Sequence, residues 1–317
     1  MKIVVLDGFA LNPGDLSWEG LTQLGECKVY DRTKPAEVFN RIKNAAVVIT
    51  NKAVIDEPLI EKLPDLRYIG VTATGYNVVD VEAASRKGIM VTNIPAYSTD
   101  SVAQLVFSHI LNVVNRVEMH ANSVTSGEWI RSPDFAYWKS PQMELAGKTL
   151  GIVGFGRIGR KVAEIGLAFG MKVIFHNRSK VTDAPVDVSQ LTMEEVFAES
   201  DVLSLNCPLS AENSGFVNQK LLRTMKHSAI LINTVRGGLV NEADLAIALN
   251  GRIIAAAGLD VMSTEPPKPD NPLFSAKNCF ITPHIAWATL EARQRLMNIT
   301  VENLHCFISG KAQNVVK

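Results

Sequence analysis

Cysteine is scarce in these 317 residues. Cys27, Cys207, Cys279 and Cys306 lie far apart, with no C-x-x-C pair among them. That spacing excludes a disulfide framework and a zinc motif. Net charge is also missing, since 32 Lys and Arg face 32 Asp and Glu. Without a global basic field the chain has nothing to hold a nucleic acid or an anionic membrane. No apolar run approaches the ~18 residues of a membrane span. The start, Met1-Lys2-Ile3-Val4-Val5-Leu6-Asp7, turns acidic too soon for a secretion signal and reads as a strand. The cytoplasm is the expected location, and no metal is expected. What remains is a composition of 47% hydrophobic and 20% charged residues, ordinary for a globular chain. The length predicts two domains of roughly 150 residues each.

Short apolar runs alternate with helical patterns. Strands are expected at Ile3–Leu6, Cys27–Tyr30, Val47–Thr50, Tyr68–Val71 and Ile89–Thr92, separated by helices at Ala36–Lys43, Pro58–Leu63 and Val81–Lys87. Such a βαβ series builds an α/β domain, a parallel sheet with helices on both faces. Val102, Val106, Ile110, Val113, Val117, Ala121 and Val124 then predict one long amphipathic helix, with Thr99 or Asp100 as its cap. Residues 127–148 hold Trp129 and Trp138 and read as an arm rather than a linker. A second βαβ series follows, with strands at Thr149–Val153, Lys172–His176, Val202–Leu205, Ala229–Asn233, Ile254–Leu259 and Phe280–Ile281. A long last helix, about 289–309, ends at Gly310 and is free to return to the first domain.

Behind Thr149–Val153 stands Gly154-Phe155-Gly156-Arg157-Ile158-Gly159, followed by a helical stretch. A G-x-G-x-x-G after a strand and before a helix permits a tight turn and close approach of the backbone to a diphosphate. The helix N-terminus then faces the anion. The next strand selects the cofactor. An acidic residue at its end would bond a ribose diol. Here the strand runs into Asn177-Arg178-Ser179-Lys180, which lacks that carboxylate and offers cations to a 2′-phosphate. The pattern leans to NADP(H), while a solvated basic turn with NAD(H) still used stays open.

Three later segments place polar residues at strand ends, where open α/β sheets bind ligands. They carry Arg236, Asp260 with Glu265, and His284. Hydride transfer to a 2-keto acid needs a cation for the carboxylate and a proton donor for the new alkoxide. Histidine suits the second task because it titrates near neutrality. Each residue also fits a plainer role: Arg236 on the surface, Glu265 capping a proline-rich turn, His284 in a turn. His109, His120, His227 and His305 read as helix-face or surface residues.

Taken together, Ala73–Asn77, Asn93-Ile94-Pro95, Ser101–Gln104, Val153–Gly159, Asn233–Gly238, Gly258–Val261 with Glu265-Pro266, and Thr282–Ala286 resemble the D-isomer-specific 2-hydroxyacid dehydrogenases over nearly the whole chain. Leu6-Asp7-Gly8 and Thr282–Ala288 resemble the glycerate dehydrogenase (hydroxypyruvate reductase) and glyoxylate reductase branch. The resemblance implies two Rossmann-like, doubly wound parallel-sheet domains with the active site in the cleft between them. Residues 1–99 plus 289–317 would form a discontinuous, flavodoxin-like substrate domain. Residues 100–288 would form the NAD(P)-binding domain, with a dimerisation helix and arm that make a homodimer.

The expected reaction is reduction of hydroxypyruvate to D-glycerate and glyoxylate to glycolate with NAD(P)H. By the same resemblance Arg236 binds the substrate, His284 is the acid/base and Glu265 orients it. The backbone of Thr74 and Gly75 receives the carboxylate, and Trp138 reaches the partner's site. The cofactor contacts implied are Gly154, Gly156, Arg157, Ile158, Gly159, Asn177, Arg178, Ser179, Cys207, Pro208, Thr234, Val235, Asp260 and Ala286. Two positions depart from the family pattern. Gln104 and Asn177 stand where many members carry Glu and Asp, and the second puts strict NAD use in doubt. The alternatives are another dehydrogenase of this fold, acting on formate or phosphite, and a dinucleotide-sensing, corepressor-like binding protein. Arg236, Glu265 and His284 occurring together argue against the binding protein.

Overall fold

The computed structural model describes residues 1–316, and its contacts divide the chain into two compact units. The first holds Met1–Tyr97 and the chain from Ala288 onward; the second is Ser98–Trp287.

In the first unit the strands are Lys2–Val5 (β1), Glu26–Val29 (β2), Val47–Thr50 (β3), Tyr68–Val71 (β4) and Met90–Thr92 (β5). They pair in parallel in the order β2-β1-β3-β4-β5, the flavodoxin-like arrangement. The inner strands β3 and β4 are buried throughout, as strands covered on both faces must be, and edge strand β2 is partly exposed. The last helix, Leu290–Ile308, is capped by Thr289, whose side chain accepts from the Ala292 N–H. It packs on β4, where Tyr68 meets Phe307 at 4.9 Å between ring centroids. Arg293, on the same helix, grips Asp15 with both guanidinium nitrogens at 2.6 Å. The helix expected over Ala36–Lys43 is a 3-10 turn, Pro35–Glu37, running into Val38–Ile42.

The second unit holds Thr149–Val153 (β6), Lys172–His176 (β7), Val188–Gln190 (β8), Val202–Leu205 (β9), Ile230–Asn233 (β10), Ala256–Leu259 (β11) and Cys279–Ile281 (β12). Their order is β12-β11-β10-β9-β6-β7-β8, again all parallel. Strand order reverses between β6 and β9, the switch point where such sheets leave a crevice at their carboxyl ends. One hydrophobic cluster joins Val196, Phe197, Leu203, Leu231 and Leu259; another joins Val106, Ile110, Ile152, Val162 and Ile232. Alternating residues of the same strands thus feed two cores. The two-sheet α/β architecture agrees with the expectation from sequence.

Two local readings need correction. The long helix is two helices, Thr99–Asn115 and Val117–Thr125, broken at Arg116 in the left-handed region (φ 49°). Tertiary contacts hold the break. The Arg116 guanidinium lies 4.6 Å from the Phe280 ring centroid and donates to Asn278 Oδ1 at 3.0 Å. The cap position belongs to Ser98, and Thr99 and Asp100 form the first turn. Edge strand β8 had no apolar signature in the sequence beyond Val188. Its Gln190 instead bonds to the turn after β7.

Phe175 of β7 is fully buried and stacks on Phe155 at 4.0 Å, inside the glycine-rich turn. Phe175→Ala is expected to destabilise the second unit by about 3–5 kcal/mol. The same variant should weaken dinucleotide binding, because Phe155 loses its backing. Chemical denaturation and a cofactor titration check the two effects.

Candidate active site

Three loops leave the carboxyl ends of β10, β11 and β12. Asn233 closes β10 and folds the first loop: its Nδ2 donates to the Arg236 carbonyl (2.9 Å), and its Oδ1 accepts from the Val235 N–H (3.2 Å). Arg236 is exposed and donates to the Val235 carbonyl at 2.6 Å. The next residue must be glycine. A Cβ on Gly237 would sit 1.9 Å from the Met262 carbonyl carbon and 2.4 Å from the Ser263 nitrogen. The Arg236 loop therefore lies directly on the backbone leading to Glu265. The Met262 N–H donates to Glu265 Oε1 (3.0 Å), which aims Oε2 at His284 Nδ1, 2.6 Å away. At 41% and 36% side-chain exposure this pair contributes orientation more than stability.

His284 has φ 56°, unusual for a non-glycine residue. Asp260 holds it there. The Asp260 carbonyl accepts the His284 N–H (2.8 Å), Oδ1 accepts the Ile285 N–H (2.9 Å) and Oδ2 the Ala286 N–H (2.8 Å). The Thr282 hydroxyl also donates to Oδ1 at 2.6 Å. Ala286 is tied through its carbonyl to the Ser101 hydroxyl (2.6 Å). Sequence reasoning missed Ser101, Thr282 and above all His109, which is buried with Nε2 3.1 Å from Thr282 Oγ1. The signal was available: His109 falls on the apolar stripe of its helix, between Val106 and Ile110.

Gly154 lies against the Asn206–Cys207 backbone, and a Cβ there would meet the Cys207 nitrogen at 2.6 Å; its φ is +96°. Gly159 abuts the Gly154 carbonyl, where a Cβ would stand 2.2 Å away. Above Gly156 a Cβ meets nothing within 4 Å, so this face is open. Helix Arg157–Ala168 begins there with no side-chain cap and no acidic residue in its first turn. Its leading N–H groups and dipole are left for an anion. At the ends of the neighbouring strands Asn206 Oδ1 and Thr234 Oγ1 are buried with no hydrogen-bond partner among the described residues. Buried polar atoms without partners are costly, and a polar ligand at this edge relieves them. These features fit a dinucleotide.

Asn177, just past β7, uses its side chain within the protein. Oδ1 accepts from the Phe155 N–H (3.3 Å), and Nδ2 donates to the carbonyl and hydroxyl of Ser179 (3.1 and 3.2 Å). Gln190 clamps the same turn through the Asn177 and Ser179 carbonyls. Arg157, Arg178 and Lys180 are exposed, with no ion-pair partner among the described residues. In the first unit the Thr74 hydroxyl bonds the Ile94 carbonyl, and the Asn93 side chain bonds the Thr74 carbonyl. The backbone N–H groups of Thr74 and Gly75 donate to no acceptor among the described residues. Trp138 is 73% exposed, and no hydrogen bond or ring contact joins it to Arg236, Glu265 or His284. Among the described residues no cluster of three or more His, Cys, Asp or Glu is placed to hold a metal ion.

The sequence pattern of the D-isomer specific 2-hydroxyacid dehydrogenase NAD-binding domain matches residues 107–286. The chain belongs to the D-isomer-specific 2-hydroxyacid dehydrogenases. It is similar to a hydroxypyruvate reductase of Blautia hydrogenotrophica, 49% identical over 320 residues and covering 100% of this chain and 99% of the relative. A glycerate dehydrogenase of Methylorubrum extorquens is 40% identical over 319 residues, with coverage of 100% and 99%. Among solved structures, an NADPH-dependent glyoxylate/hydroxypyruvate reductase of Sinorhizobium meliloti, in complex with NADP and malonate, superposes with TM-score 0.83. It is 29% identical, and the match covers 99% of this chain and 96% of that one. As a 2-hydroxyacid dehydrogenase the protein is an NAD(P)-dependent oxidoreductase of small 2-keto acids.

Burial lowers the imidazole pKa of His109 from its ordinary 6.5, and the nearby Asp260 carboxylate only partly opposes this. The neutral ring is thus favoured when folded, while the unfolded ring takes up a proton as pH falls through 6.5. Stability from this group is full above 6.5 and is lost below it. The carboxylates held low (Asp15, Asp183, Glu195, Asp201) start from 3.8 to 4.5 and act at lower pH. Thermal midpoints should therefore fall between about pH 7 and 5, and His109→Gln should flatten that fall.

Proposed function

We propose that the enzyme reduces hydroxypyruvate to D-glycerate and glyoxylate to glycolate, and accepts NADPH at least as well as NADH. The observation that carries the chemistry is the 2.6 Å contact of Glu265 Oε2 with His284 Nδ1. It occupies one ring nitrogen with a carboxylate and leaves Nε2 to serve the substrate. The names of the two relatives above support the choice of keto acid.

When bound, the nicotinamide dinucleotide supplies the hydride that reduces C2. The chain's own residues do the rest. His284 gives the Nε2 proton to the keto oxygen as it becomes an alkoxide, and takes it back in the oxidative direction. Glu265 fixes the tautomer and plane of the ring. Arg236 presents a planar guanidinium to the substrate carboxylate and polarises the ketone. In the first unit the backbone N–H groups of Thr74 and Gly75, which donate to no acceptor among the described residues, suit a carboxylate.

For the dinucleotide, Gly154, Gly156, Arg157, Ile158 and Gly159 would hold the diphosphate. Cys207 and Pro208 would lie near the adenosine, and Thr234, Val235, Asp260 and Ala286 would serve the nicotinamide end. Asn177, Arg178 and Ser179 form the turn that would meet the 2′ position, and Arg178, with no ion-pair partner among the described residues, supports NADPH. A homodimer built on the 127–148 segment accords with its exposed apolar side chains, Ile130 at 90% and Phe135 at 93%. Trp138 is placed by this reading at the partner's site. The four free thiols accord with the reducing cytoplasm.

His284→Ala should lower kcat by about 10²–10⁴-fold with far less effect on cofactor affinity. A kcat within a few-fold of the parent removes His284 from the proton transfer. Asn177→Asp should move the NADPH/NADH ratio of kcat/KM toward NADH by about 10–100-fold. That is the scale of a lost charge-assisted bond with added repulsion. Titrating both cofactors at fixed hydroxypyruvate on parent and variant checks this. A parent that strongly prefers NADH, with an unmoved ratio, overturns the reading of the turn.

A further inference from the structure

One buried titratable group takes no part in the chemistry above. His109 is 5% exposed, on helix Thr99–Asn115. It presses on β11 at Gly258, where a Cβ would lie 2.7 Å from the His109 Cβ. The glycine is the space the imidazole occupies. Among the described residues its ring makes one hydrogen bond, Nε2 to Thr282 Oγ1 at 3.1 Å.

The direction of that bond follows from proton counting. The Thr282 hydroxyl has one proton. Asp260 Oδ1 at 2.6 Å claims it, and the alternative acceptor, the Leu259 carbonyl, is 3.5 Å away. Thr282 Oγ1 can then only accept, so His109 donates from Nε2. The chain of donors runs from His109 to Thr282 to Asp260, whose oxygens receive the N–H groups of His284, Ile285 and Ala286. The same helix also reaches this loop directly through Ser101 and the Ala286 carbonyl. Ser101 and His109 are eight residues apart, roughly 12 Å along the axis. The helix thus grips the loop at both ends.

We infer that His109 is a positioning residue: through Thr282 and Asp260, helix Thr99–Asn115 fixes the loop that carries His284. The inference rests on His284 as the proton donor for its kinetic consequence, but its structural half stands apart from that reading. His109→Leu removes the donor at similar volume. His109→Gln keeps an N–H near the Nε2 position. Thr282→Val cuts the next link.

Two readouts on the full chain decide it. The first is amide hydrogen exchange in the free protein at Ile285 and Ala286. His109→Leu and Thr282→Val should each speed exchange there by about 10-fold or more, with distant amides unchanged, and His109→Gln should restore most of the protection. The second is steady-state reduction of hydroxypyruvate. Both single variants should lower kcat by about 10-fold while KM moves less than about 3-fold, since sub-ångström misplacement of a reacting group acts on the chemical step. The double variant His109→Leu with Thr282→Val should be no worse than its weaker parent, because both cut one chain.

Unchanged exchange at Ile285 and Ala286, or single effects that multiply in the double variant, overturns the inference. If His109→Leu does not fold, the comparison of His109→Gln, Thr282→Val and Thr282→Ser carries the same test: protection should survive in Gln and Ser and fail in Val. His284→Ala measured alongside separates the two claims. Full activity in that variant refutes the proton donor, whereas the exchange pattern judges the relay by itself.

Discussion

Asp260 is a buried anion whose hydrogen bonds are nearly all spent on one loop. A carboxylate 1% exposed is costly unless donors surround it. Here the donors are two consecutive backbone N–H groups and a threonine hydroxyl, while its own carbonyl takes a third N–H from the loop. The need to satisfy that charge bends the chain back at His284 and sets its left-handed backbone. The ring is then delivered to Glu265. The placement of His284 beside Glu265 is therefore a by-product of solvating a charge with protein.

The scaffold makes this affordable because it is rigid where it matters. β10, β11 and β12 are adjacent parallel strands, so their carboxyl ends emerge side by side. Three loops of unrelated sequence meet without any long-range search. Gly237 against Met262 and Gly258 against His109 set the distances, since neither contact leaves room for a methyl group.

Much of this was readable in advance, for physical reasons. Fully buried strands such as Val47–Thr50 and Val202–Leu205 are short apolar runs between turns, and their limits agree with expectation to the residue. The glycine pattern is dictated by backbone contact, so it survives as a pattern. What escaped was whatever depends on contacts remote in sequence. Arg116 breaks a helix whose periodicity runs on unbroken, because Phe280 and Asn278 reward the break. β8 has three residues and is stabilised by pairing with β7 more than by its own composition. His109 was discounted because a polar residue on an apolar stripe declares its purpose only when its partner 173 positions away is known.

Asn177 joins two structures usually considered separately. Its Oδ1 holds the Phe155 N–H of the glycine-rich turn, and its Nδ2 holds the turn carrying Arg178. A change at this one amide therefore acts on both turns at once. Asp at this position would keep the acceptor for the Phe155 N–H and lose the donor to Ser179, so it would loosen the second turn while leaving the first one held.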